Sequence, residues 1–200
     1  MPKTKRRQAS ANLATNRQSR QAEIRYRTSL RQIARAVGDI VNGRYDGSND
    51  SVTEIMDALE RYSEIITPWA TKVAENFTAD IARQNEKQWR QHSRNISAEL
   101  RNMVDRAPVG QVMKSIVAEQ IKYIKSLPLE AADRVYDIQN KAIEAVVTGG
   151  RAEPFAKEIA ASGDVSRSRA NLIARTELGR ATGALDQARA QIGRASCRER

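Results

Sequence analysis

The side chains best suited to chemistry fall into three groups. In the first, Arg175, Thr176 and Glu177 set a cation, a hydroxyl and a carboxylate in a row. On a helix, neighbouring side chains point about 100° apart, so Arg175 and Glu177 cannot pair and must reach different partners. Arg169, Ile173, Thr176 and Arg180 lie along one ridge, and Glu177 can pair with Arg180 at i+3. An acid alone on a helix, with no base, nucleophile or metal ligand nearby in sequence, is weak ground for catalysis. The group is therefore expected to lock its helix onto neighbours, and no catalytic residue is assigned.

The second group is Lys3, Lys5, Arg6, Arg7, Arg17 and Arg20. Six cations on so short a segment could neutralise nucleic-acid phosphates without reading bases, or lie on an acidic protein surface. The third is a pair of single residues. His92 is the only histidine, so a metal site there would need carboxylates for its other ligands, and no metal or cofactor is expected. Cys197 is the only cysteine, which excludes an internal disulfide.

The charge distribution sets these groups in context. The net charge of +10 belongs to the two ends. Residues 1 to 35 carry most of it, the last nine carry the remainder, and the long middle is almost neutral. Residues 192 to 200, Ile-Gly-Arg-Ala-Ser-Cys-Arg-Glu-Arg, are what ATC GGA AGA GCG TCG TGT AGG GAA AGA encodes. That string resembles a short-read sequencing adapter read in frame, so the tail, with Cys197, is expected to be non-native and the native chain to continue past Gln191. No apolar run reaches the roughly 18 residues of a membrane span, and no signal peptide opens the chain; a soluble protein is expected.

Residues 1 to 18 hold too little apolar content to offset their ordering entropy and read as a basic disordered arm. Tyr26, Leu30, Ile33, Val37 and Ile40 then recur at 4-3-4-3 spacing, one stripe of a helix ended by Asn42-Gly43. Ser51-Val52-Thr53-Glu54 reads as a capping box opening a helix that buries Val52, Ile55, Leu59, Tyr62 and Ile66. Thr67-Pro68 stops or kinks it. A long helix follows with Trp69, Val73, Phe77, Ile81, Trp89, Ile96, Leu100 and Met103, its two tryptophans serving as core or interface anchors. The next helix spans about 109 to 126, and Pro128 is expected to open another, with Leu129, Ala132, Val135, Ile138, Ala142 and Val146, ended by Gly149-Gly150. A short helix near Pro154 to Ala161 precedes Ser162-Gly163-Asp164. Ser166 is expected to cap the last helix, whose stripe is Ala170, Ala174, Leu178, Ala181, Leu185 and Ala188. Gly179 and Gly183 would permit close helix approach. No segment alternates with period two, so the fold class is all-α, an elongated multi-helix assembly with a basic arm. The regions are 1–18 (arm), 19–126 (long helices), 127–191 (second helical region) and 192–200 (tail).

Residues from about 127 to 190 resemble the head morphogenesis family of tailed phages, which includes the Mu F-like minor head proteins. The resemblance rests on Leu127-Pro128, the Gly149-Gly150 break, Phe155 and Ile159 on a short helix, Val165-Ser166-Arg167-Ser168-Arg169-Ala170, and above all Leu172-Ile173-Ala174-Arg175-Thr176-Glu177. In the family a further segment with Trp, Asp, Arg and His positions usually follows, and the present residues end before it. The resemblance implies a minor capsid protein of the virion, assembled in the bacterial cytoplasm beside the portal and other head proteins and contacting packaged DNA; the basic arm is expected to touch that DNA or an acidic surface. Two other readings stay open: the first part of a phage enzyme whose catalytic domain lies beyond Gln191, and a free nucleic-acid-binding helical protein.

Overall fold

A computed structural model describes the backbone of residues 3–92 and 108–198, and the side chains of 20–89 and 109–190. Among the described residues the chain is all-α, with no strand. Its helices are α1 (Lys3–Asn42), α2 (Asn49–Ile65), α3 (Thr67–His92), α4 (Pro108–Val147), α5 (Glu153–Ala160) and α6 (Ser162–Arg198). The expected disordered arm and its cations up to Arg17, with His92, Ile96, Leu100, Met103 and the 192–200 tail, lie outside the residues whose side chains are described. No helix of the described residues is long and apolar enough to cross a membrane.

The chain divides into two compact units. Unit 1 comprises Met1–Tyr26, Val73–Glu119 and Ala174–Arg200; unit 2 comprises Arg27–Lys72 and Gln120–Ile173.

Unit 2 holds the aliphatic core. From α1 it buries Leu30, Ile33, Ala34, Val37 and Val41. The stripe thus ends on Val41, not on the expected Ile40, because the step of four from Val37 keeps the side chain on the inner face. From α2 come Val52, Ile55 and Leu59, followed by Ile66 just past the helix, while Tyr62 is only half-buried. Burial of each such aliphatic side chain contributes about 1.5–3 kcal/mol. Helix α2 begins earlier than the capping box implied. Ser48 is its N-cap, accepting from the Ser51 amide at 3.1 Å, and the Ser51 hydroxyl turns back to the Ser48 carbonyl at 2.8 Å. A cap one turn upstream satisfies the same amide and leaves Ser51 buried inside the helix.

Pro128 does not start a helix. Helix α4 runs through it without a break. Proline removes one donor from the ladder and crowds the carbonyl four residues back. The missing donor would have served the Ile124 carbonyl; on either side of it, buried Ser63 on α2 donates to the Lys125 carbonyl at 3.1 Å, tying this turn to α2, and Ser126 donates to the Tyr123 carbonyl at 3.1 Å. Helix α4 ends as expected at Gly149, whose φ of 86° only glycine adopts cheaply, with the Gly150 amide donating to the Ala145 carbonyl at 2.7 Å. Ser166 does not cap α6. The helix begins at Ser162, directly after Ala161, whose carbonyl accepts the Asp164 and Val165 amides at 3.0 and 3.2 Å. Ser166 is consequently buried within the helix.

Unit 1 has a leaner core. Tyr26 stacks on Phe77 with centroids 4.1 Å apart, a contact worth about 0.5–1.5 kcal/mol beyond burial. The unit also buries Ala22, Ala74, Ile81, Ile116, Ala181, Leu185 and Ala188, together with the polar Thr78, Asn85, Glu177 and Arg189. The α3 face that packs is lined by Ala74, Phe77 and Ile81, while Val73 and Trp89 are half-buried. On α6, Leu178 likewise yields to Glu177 and Ala181.

Candidate functional site

In unit 1 the Arg175-Thr176-Glu177 motif splits by depth. Glu177 is buried, while Arg175 and Thr176 are exposed. Arg180 donates through Nε to Glu177 at 3.1 Å, the i+3 pair expected from the sequence. Its Nη2 also holds Glu119 on α4, so one guanidinium joins two carboxylates from two helices. The Glu119 end is half-exposed and contributes about 0–1 kcal/mol. The Glu177 end matters more, because a desolvated carboxylate needs its counter-charge. Arg175 makes no hydrogen bond or ion pair among the described residues.

In unit 2 the same helix presents Arg169 and Ile173. Ile173 is buried, and Arg169 reaches Glu130 of α4, Nε at 3.0 Å from one oxygen and Nη2 at 3.4 Å from the other. Glu130 also accepts from the Ser126 hydroxyl at 2.9 Å. Burial lowers the Arg134 pKa, partly opposed by the Glu130 charge, and its Nη1 finds no partner among the described residues. Of the sequence-selected set, then, Arg169, Ile173, Glu177 and Arg180 are packing and bracing groups, and Arg175 and Thr176 face outward.

Among the described residues Gly179 and Gly183 mediate no close approach; a Cβ on either would meet nothing there within 4 Å. The close pair is Gly38 and Gly163 in unit 2. No spacing rule links residues so far apart in sequence.

Two surfaces escaped the sequence reading. On α4 in unit 2, Leu129, Tyr136, Ile143 and Val147 are 39%, 51%, 43% and 80% exposed. Their 7-7-4 spacing makes one stripe, beside the exposed acids Asp133, Asp137 and Glu144. The expected inner stripe of Leu129 and Val146 is corrected here: both are exposed, and Ala131, Ala132, Val135, Ile138 and Ala142 line the core instead. A helix with two apolar faces gives no single period, which hid the second one.

The other surface is a cleft of about 280 Å³ in unit 1, lined by Gln21, Arg25, Asp80, Arg83, Gln84 and Lys87. Asp80 lies at its centre. Arg25 donates to Oδ2 through Nε at 3.0 Å and Nη2 at 2.7 Å, and Arg83 donates to Oδ1 at 2.7 Å. The Asp80, Arg83, Lys87 spacing of three then four was readable, but not the approach of Arg25 from α1. Arg20, the last cation of the expected arm, is exposed.

Among the described residues no three His, Cys, Asp or Glu side chains gather as a metal site would require. No family model matches the chain, and no match is found among curated proteins or solved structures.

Proposed function

We propose that this chain is a minor head protein of a tailed bacteriophage, a helical adaptor that docks on the portal or adjoining head proteins during procapsid assembly and touches packaged DNA. The reading starts from the resemblance of residues 127 to 190 to head morphogenesis proteins. The observation that carries it is the exposed apolar stripe of α4. Leu129, Tyr136, Ile143 and Val147 sit at coiled-coil spacing and remain 39–80% exposed. Burying four such side chains under a partner helix contributes about 1.5–3 kcal/mol each when complete. The acids along one edge favour a partner whose own edge is lysine- or arginine-rich. The buried Glu177, braced by Arg180, supports a packing role for the motif over a reactive one.

Co-sedimentation with portal or procapsids tests the proposal. The unaltered chain is expected to associate, and a Tyr136→Ser, Val147→Ser double variant to lose at least tenfold in affinity with its helix content unchanged. A chain that never sediments with either particle sinks the proposal.

A further inference from the structure

We propose that the cleft between the α1 and α3 segments of unit 1 binds phosphodiester groups of duplex DNA, making the folded body a DNA-contact surface apart from the N-terminal arm. This rests on the DNA-contact half of the function proposed above. The cleft wall carries Arg25, Arg83 and Lys87 against Asp80 alone, an excess of positive charge in a concavity. Concave walls focus that field towards an entering anion.

Asp80 does not cancel the site; it shapes it. By accepting both guanidinium groups it holds two flexible side chains in place before any ligand arrives. Less motion then remains to be lost on binding. A guanidinium has five N–H donors, and Arg83 uses two groups here, Nη2 on Asp80 and Nε on the Ala79 carbonyl at 3.2 Å. Its remaining donors are available to phosphate oxygens. Lys87 makes no ion pair among the described residues and stands exposed at the rim. Gln21 adds an amide able to donate to the same oxygens.

The lining also selects the ligand. It contains no aromatic ring on which an unstacked base could lie, so the single-strand mode of base stacking has no platform. Duplex backbone needs only fixed cations and donors. In the sequence the cationic spacing of α3 continues from Arg83 and Lys87 to Arg90, and α1 carries Arg17 one turn before Gln21.

The test is anisotropy of a labelled short duplex titrated with the full chain across a range of salt. The variants are Arg83→Gln with Lys87→Gln, and separately an arm variant with Lys3, Lys5, Arg6 and Arg7 changed to Gln. Each phosphate contact contributes about 0.9 to the slope of log affinity against log salt. The cleft variant is expected to lower that slope by about two and weaken binding about tenfold at low salt, equally for any duplex sequence. Because Lys87→Gln removes no internal bond, it should give about half the slope change alone with an unaltered melting curve. Inorganic phosphate serves as competitor. The proposal is overturned if the unaltered chain binds no duplex, if the arm variant abolishes binding while the cleft variant leaves affinity and slope unchanged, or if phosphate saturates the cleft where duplex does not. Procapsid sedimentation of the cleft variant, expected to be normal, separates this failure from failure of the docking role.

Discussion

Gly163 at the start of α6 lies against Gly38 of α1 so closely that a Cβ on Gly163 would sit 2.8 Å from the Gly38 Cα. The obstacle is backbone, which cannot swing aside as a side-chain tip would. Gly163→Ala should therefore destabilise the protein by about 1–3 kcal/mol, the usual range for overpacking. Gly38→Ala, with its nearest contact at 3.3 Å, should cost less. Gly179→Ala meets open space and should stabilise by about 0.5–1 kcal/mol through helix propensity. Chemical denaturation of the three variants gives the ranking; equal effects at Gly163 and Gly179 would refute it.

Removing the Arg180 guanidinium would take a counter-charge from the Glu177 carboxylate, whose side chain is 6% exposed. Arg180→Ala is expected to cost about 1–3 kcal/mol, below the figure for a fully buried pair because Arg180 itself is half-exposed. The double variant Arg180→Ala, Glu177→Gln should recover part of that loss, since the buried side chain then carries no charge and only the half-exposed Glu119 loses its pair. Arg175→Ala, exposed on the same helix, should fall within about 0.5 kcal/mol of the unaltered chain. Thermal melts of the four proteins check the order.

Asp46, in the connection between α1 and α2, is held below the usual carboxylate pKa, chiefly by hydrogen bonds from the Ser48 side chain and amide, then from Ser51. The Ser48 amide lies 2.8 Å from Oδ1. A folded value below the unfolded one means that this contribution is whole above the ordinary aspartate value of about 3.9 and vanishes as pH falls through the folded value. Carbon-detected NMR titration should place the Asp46 midpoint below that ordinary value. Asp46→Asn should abolish this acid-side loss of stability, and an unshifted midpoint would show that the bonds are not kept in solution.

The fold class was legible because long amphipathic helices repeat their signal many times; Leu30, Ile33, Val37, Ile55 and Leu59 are buried as their spacing requires. Local punctuation was read less well. Ser51 and Ser166 have cap chemistry, but Ser48 and the Ala161 carbonyl take over those turns. Pro128 has breaker chemistry, yet the helix runs through it, with the adjacent turn tied to α2 by Ser63. Within the candidate site, the Glu177–Arg180 pair followed from helix geometry. Arg180 with Glu119, Arg169 with Glu130, and Arg25 with Asp80 did not, because each joins residues tens of positions apart that only packing brings together.

Pro128 also makes α4 mechanically uneven. The turn just ahead of Leu129 lacks the ladder donor that any other residue at position 128 would supply, and an interior proline is where helices bend, immediately before the exposed stripe. A partner pulling on Tyr136 or Val147 would load that turn first, with Ser63 acting as its restraint, and the stretch beyond would move as a lever about a fulcrum built into the sequence.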